Sequence, residues 1–239
     1  MTPDIVSIWV YLSASPLTWL TATLAAYVAA DWVAAWLGRH PLANPVVIAA
    51  AILAAILIAT GTDYGSYFEG AQFVHFLLGP ATVALAVPLW RNLATVRRAL
   101  LPMAAALFAG SVTAAVSAVG IAWVLSAPAD VLASLAPKST TAPIAMELSK
   151  SLGGIPALTA VLVVMTGIIG AVVVTPLMNA LKIRNYAARG FAVGVASHGI
   201  GTARAFQVSE IAGTFAGIAM GLNGALTSLL VLVWLAFAG

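Results

Sequence analysis

Pro137-Lys138-Ser139-Thr140-Thr141-Ala142-Pro143 interrupts an otherwise apolar stretch, 131–150. A proline inside a helix removes a backbone donor and clashes with the preceding turn. A lysine at the centre of a bilayer costs about 2.5–3.5 kcal/mol. The stretch therefore reads as a broken helix. Whether it crosses a membrane or turns back sets the topology of everything after it.

That a membrane is the relevant solvent follows from composition. The 239-residue chain is 62% hydrophobic and only 7% charged, with a mean hydropathy of +1.07. Soluble domains carry about 25% charged residues, so this chain cannot cover a water-facing surface. The class expected is an all-α polytopic membrane protein. Absent cysteine excludes disulfides, thiolate metal sites and thiol nucleophiles. The net charge of +3 reads as loop bias rather than a nucleic-acid footprint. Residues 1–12 lack a basic n-region and a small-residue cleavage pattern, so 1–239 reads as a single membrane domain.

About 20 apolar residues cross the hydrocarbon. Uninterrupted runs at 17–37, 44–60, 98–126, 154–181 and 211–238 read as spans. Three more are interrupted: 71–90 by Gly79-Pro80 and Pro88, 131–150 as above, and 190–206 by glycines, His198 and Arg204. Arg91, Arg97 and Arg98 fall in one loop and Lys182, Arg184 and Arg189 in another, which places both on the cytoplasmic side. Span 98–126 then ends outside. Span 154–181 must also start outside to end at the second basic cluster. Segment 131–150 must therefore enter and leave on one face, as a re-entrant hairpin turning at Lys138–Thr141.

The chain also suggests an inverted repeat, about 44–126 against 154–238, each copy crossing three times. Asn44-Pro45 opens one long run and Ile155-Pro156 another, and Phe76–Thr82 aligns loosely with Ala196–Thr202. Inverted repeats with interrupted helices in matching places are a mark of secondary transporters. Reuse of Gly and Pro at helix ends is the alternative reading.

Intramembrane cations need a partner, a watery cavity or a reach to the interface. If the chain unwinds between Gly199 and Gly201, His198 and Arg204 converge, and the amides of Gly199-Ile200-Gly201-Thr202 face an anion. Arg204 would then grip a carboxylate bidentately. Lys138 would add charge and Ser139, Thr140 and Thr141 hydroxyls, giving a pocket for a small carboxylate. Alternatives stand beside each: Arg204 with Glu210 as an interfacial pair, Glu147 with Lys150 as a helix-surface pair, and His75 as structural. Gly213, Gly217 and Gly221 form a small-residue face for packing within the protomer or between two copies, with Asn223 bonding across that span. No hydrolase triad, metal cluster or phosphate loop appears, so no enzyme and no cofactor is expected.

Several of these stretches resemble the signatures of the LrgB/CidB family of antiholin-like membrane proteins. They are Pro137–Glu147 with Gly153–Ala160, Ser197–Ala205, Gly217–Gly224, and Leu78–Leu89 with Asn44-Pro45. The resemblance covers about residues 17–239. It implies a multi-pass protein of the bacterial inner membrane, acting beside a small LrgA/CidA-type membrane protein. It also implies either control of murein hydrolases and autolysis, or transport of a small 2-hydroxy or 2-oxo monocarboxylate of the glycolate, glycerate, lactate or pyruvate type. The second function agrees with the cationic pocket. Lys138, Thr140, Thr141, His198, Thr202 and Arg204 are then the expected ligands, Glu147 a coupling or pairing group, and H+ or Na+ the coupling ion. One departure is Phe206-Gln207-Val208-Ser209, which delays the acid expected after Ala203-Arg204-Ala205 to Glu210.

Overall fold

A computed structural model describes residues 15–40, 43–77, 80, 83–84 and 86–238. Helices account for nearly all of these, and no strand forms among the described residues. The chain packs as two compact units that divide after Ala84.

In the first unit, α1 (Pro16–Trp36), α2 (Pro45–Thr60) and α3 (Tyr64–Phe76) pack through small and aromatic residues. Ala26 and Ala30 of α1 meet Ala49 and Leu53 of α2. Trp19 is buried edge-on against Tyr67. Gly70 lies so close to α1 that a Cβ there would strike the Pro16 carbonyl. Asn44 caps α2 by accepting from the Val46 amide at 2.9 Å, and Gly61 closes it at φ 63°. Asp63 then accepts from the Ser66 amide at 3.1 Å. The Ser66 hydroxyl and amide hold the Asp63 carboxyl below its usual range. This cap starts α3 ahead of the apolar run expected at 71–90, because an N-cap and not hydropathy sets a helix start. The Gly79-Pro80 repeat comparison and the His75 side chain lie largely outside the described residues.

The second unit holds α4 (Ala86–Arg91), α5 (Leu93–Arg98), α6 (Leu100–Val124), α7 (Ala129–Leu135), α8 (Ala142–Ser151), α9 (Pro156–Ala180), α10 (Tyr186–Val208) and α11 (Glu210–Ala238). Four described helices are long and apolar enough to cross a membrane: α1, α6, α9 and α11. The run 44–60 forms a helix of only 16 residues, about 24 Å long. Large apolar side chains such as Trp32, Leu101, Trp123 and Phe237 are exposed, as in a protein whose outer solvent is lipid.

Two segments of this unit are hairpins. The first rises through turns at 136–141 and returns as α8, of 10 residues, while α7, of 7 residues, lies at its base. Each helix is too short to cross. Ser134, Ser149 and Thr159 are fully buried together at its base. Ser134 Oγ accepts from the Ile155 amide at 2.8 Å, and Thr159 Oγ1 lies 2.7 Å from Ser149 Oγ and 3.1 Å from the Ser134 carbonyl. Gly154 fits between Ser149 and the Ser134 amide, where a Cβ would come within 2.8 Å of that nitrogen. Within the stretch 131–150 the helix breaks at 136–141, and the segment is anchored at the N-terminal end of α9.

The second hairpin corrects the expectation that 190–206 crosses. Helix α10 breaks at Ser197 and His198, whose φ/ψ are −132°/16° and 41°/−132°. Tyr186, Gly190, Arg204 and Val208 all line one cavity of about 30 Å³. A straight helix would hold its ends about 33 Å apart, so the limbs 186–196 and 199–208 lie side by side. The base of this hairpin sits on Val174 and Met178, at the C-terminal end of α9. The two hairpins therefore enter from opposite ends of a 25-residue helix. Of the three long runs expected to cross in 154–238, two form helices long and apolar enough to do so, α9 and α11, and the third folds back between them.

Helix α11 runs beside the first limb of α10 with little between their backbones. A Cβ at Gly190 would fall on the Ala212 carbonyl and one at Gly194 on the Ala216 carbonyl. Lipid is as apolar as leucine, so such close backbone approach replaces the hydrophobic effect as the attraction between helices. Of the expected glycine face, Gly213 is taken by the Phe206 ring within the protomer, whereas a Cβ at Gly221 would meet nothing within 4 Å.

Candidate functional site

The tips of the two hairpins meet at Asn223 of α11. Its side chain is 1% exposed. Nδ2 donates to the Ser139 carbonyl at 3.0 Å, in the first tip, and to the Val195 carbonyl at 3.2 Å, just before the second. Its Oδ1 accepts from the Ser111 hydroxyl of α6 at 2.5 Å. One amide thus bonds backbone beside both breaks, and irregular backbone at membrane depth is tolerated where the protein supplies such partners.

Each tip is held locally as well. In the first, the amide and hydroxyl of Thr140 both lie 3.0 Å from the Pro137 carbonyl. Lys138 is half-buried, donates to Ser139 Oγ at 3.3 Å, and lies within electrostatic reach of His198. Thr141 opens α8 without a side-chain cap bond. In the second tip, His198 adopts φ 41°, a conformation costing a non-glycine residue about 1–3 kcal/mol. Its Nε2 is 2.9 Å from the Val163 carbonyl, and its own carbonyl accepts from Thr202 Oγ1 at 2.7 Å. Two glycines of α9 make room for the turn. A Cβ at Gly170 would overlap Ser197 Oγ, and one at Gly167 would lie 2.8 Å from the His198 ring. Ser197 Oγ is buried and has no hydrogen-bond partner among the described residues.

The break falls at Ser197–His198, ahead of the expected unwinding at Gly199–Thr202. Those four residues are helical and form the first turn of the return limb. The amides at the start of a helix lack helical acceptors, and here that start lies beside His198. Gly201 is required by packing, since a Cβ would lie 2.8 Å from Val193 Cγ2.

Lys138, Ser139, Thr140, His198, Thr202 and Asn223 are gathered around the two tips. Arg204 is not. The return limb carries it about 9 Å along the helix axis from His198, to the hairpin base. There it lines the small cavity with Arg189 and donates to Gln207 Oε1 at 3.1 Å. Glu147 is exposed on α8 and forms no ion pair with Lys150. Sequence reasoning missed Ser111, Ser134, Ser149, Thr159, Gly167 and Gly170. Their polarity or smallness within apolar runs was the available signal. Among the described residues no group of three His, Asp or Glu could hold a metal.

The LrgB-like family model matches residues 23–237. The uncharacterised protein YwbG of Bacillus subtilis is 34% identical over 77% of this chain and 82% of its own length. YxaC of the same organism is 32% identical over 82% of this chain and 86% of its own. The holin-like protein CidB of Staphylococcus epidermidis is 30% identical over 81% of this chain and 84% of its own. No solved structure matches the chain.

Proposed function

The chain belongs to the LrgB-like family, and from that premise and the two-hairpin geometry we propose that it is a secondary transporter of small 2-hydroxy or 2-oxo monocarboxylates. The observation that carries this reading is the meeting, at Asn223, of two re-entrant tips that enter from opposite ends of α9. Broken helices converging within the bilayer are where secondary transporters hold their substrates. The carboxylate would take its charge from Lys138, hydroxyl contacts from Ser139, Thr140, Thr141 and Thr202, and backbone amides from Gly199 to Gly201. His198 would orient it. Alternating access would open one hairpin at a time, with the tips closed on each other in the conformation described. This replaces the movement of repeat 44–126 against 154–238 as the simplest form of the mechanism. Arg204 and Glu147 would act outside the tip site, Arg204 at the cytoplasmic base. A homodimer built on the α11 glycine face would use its Gly221 end, where neighbouring atoms are absent.

The relatives' names favour a second reading, since the CidB relatives from Staphylococcus are holin-like proteins. A holin-like regulator of murein hydrolase activity, working with a small LrgA/CidA-type partner, would need oligomerisation and no substrate site. Uptake of radiolabelled glycolate, lactate and pyruvate into proteoliposomes separates the two, with H+ and Na+ gradients imposed in turn. Transport predicts saturable uptake, lost in Lys138→Gln with the fold intact. Well-folded protein that takes up none of the three, yet alters autolysis when expressed with the small partner, assigns the second reading.

A further inference from the structure

An apolar cavity of about 530 Å³ runs along the seam where α6 packs on the first limb of α10, with Phe215 of α11 among its walls. Its deep end, at Val195 and Ala196, reaches the tip of the second hairpin, and its mouth lies at the other end of the two helices. On α6 its wall is the stripe Ala99, Met103, Ala106, Gly110 and Ala114, residues three to four apart and therefore on one helix face. That stripe is about 22 Å long, more than the ~15 Å depth of one hydrocarbon leaflet. Its residues are mostly small, so the wall is a smooth trough. The polar lining side chain, Asn185, stands at the same end as Ala99, since both open their helices.

That end is also where the charge is. Arg97 and Arg98 immediately precede Ala99, and Lys182 and Arg184 closely precede Asn185. All four are exposed, and none of their side chains makes a hydrogen bond or ion pair with the described residues. Neither 91–100 nor 181–189 holds an acidic residue to neutralise them. Insertion topology explains why these charges lie on the cytoplasmic side. It does not explain why they flank the mouth of a leaflet-deep apolar trough.

We infer that this trough seats one acyl chain of an anionic phospholipid from the cytoplasmic leaflet, with its headgroup phosphate held by Arg97, Arg98, Lys182 and Arg184. The inference is independent of what the hairpin tips transport. A zwitterionic lipid would fill the trough as well but gain less from the rim, because its ammonium group offsets the phosphate charge. Each basic side chain at an anionic lipid surface adds about 1 kcal/mol, which is about fivefold in affinity per charge.

The test uses the full chain in detergent with phosphatidylglycerol or phosphatidylcholine of identical acyl chains. Native mass spectrometry reads the lipid retained, and thermal unfolding reads the fold. Phosphatidylglycerol should be retained preferentially. Neutralising two rim charges, as Arg97→Gln with Arg98→Gln or Lys182→Gln with Arg184→Gln, should lower its retention about 25-fold and lower that of phosphatidylcholine far less. Ala106→Phe, filling the trough from an exposed position, should reduce retention of both lipids. Equal retention of the two lipids by the wild type would overturn the inference, as would rim variants that bind phosphatidylglycerol like the wild type. Should Ala106→Phe change the oligomeric state and leave lipid retention untouched, the trough belongs to a second copy. If Ala106→Phe does not fold, the exposed rim variants decide alone.

Discussion

Asn223 Nδ2 and the Ser139 carbonyl, 84 positions apart in sequence, are 3.0 Å apart in the fold. The bond ties a crossing helix to the tip of a re-entrant hairpin. The same amide reaches the second hairpin through Val195 and α6 through Ser111. An asparagine suits this position because one planar group offers two donors and an acceptor in fixed directions.

Replacing Asn223 by alanine should therefore cost more than replacing any single partner. Interhelical hydrogen bonds in membranes average about 0.6 kcal/mol and reach about 1.7, and the buried carbonyls left behind add a desolvation penalty. Asn223→Ala is expected to lose about 2–4 kcal/mol, and Ser111→Ala about 1 kcal/mol. Thermal unfolding in detergent measures both. Equal losses would mean that the hairpin tips do not depend on Asn223.

His198 separates backbone strain from side-chain bonding. His198→Ala loses the contact with the Val163 carbonyl and keeps the strained φ, whereas His198→Gly loses the contact and relieves the strain. The glycine variant should be the more stable of the two by about 1 kcal/mol. An alanine variant as stable as the glycine one would argue against the positive φ at the tip.

The two ends of the glycine pattern should respond in opposite ways. Gly194→Val places a branched side chain against the Ala216 backbone and should destabilise by about 3 kcal/mol. Gly221→Ala enters open space and should be neutral or stabilising by about 0.5 kcal/mol. The contrast can be read in one unfolding series.

Topology is open to single-cysteine labelling because the chain contains no cysteine. Cysteines introduced at Asp130 and Gly153 should react with an impermeant maleimide from the same side of right-side-out vesicles. Those at Arg97, Lys182 and Ser209 should be protected until the membrane is permeabilised. Ser209 is the decisive position: a crossing α10 would expose it outside.

Much of this was legible in the sequence, and the rest was not for identifiable reasons. Composition determined the solvent, since a chain with 7% charge cannot face water. Proline, lysine and hydroxyl residues at 137–143 marked the first break, and the basic loops on either side of 98–181 fixed the parity that made 131–150 a hairpin. That parity argument stops at Arg204, because no Lys or Arg follows it. With no basic residue to orient the last apolar run, a crossing and a hairpin at 190–206 were equivalent on paper. Only tertiary packing decided between them. Gly167 and Gly170 of α9 leave space for Ser197 and His198 to turn, and the return limb then carries Arg204 back to the base. Steric room between distant segments is a property of their juxtaposition, which residue order does not encode locally.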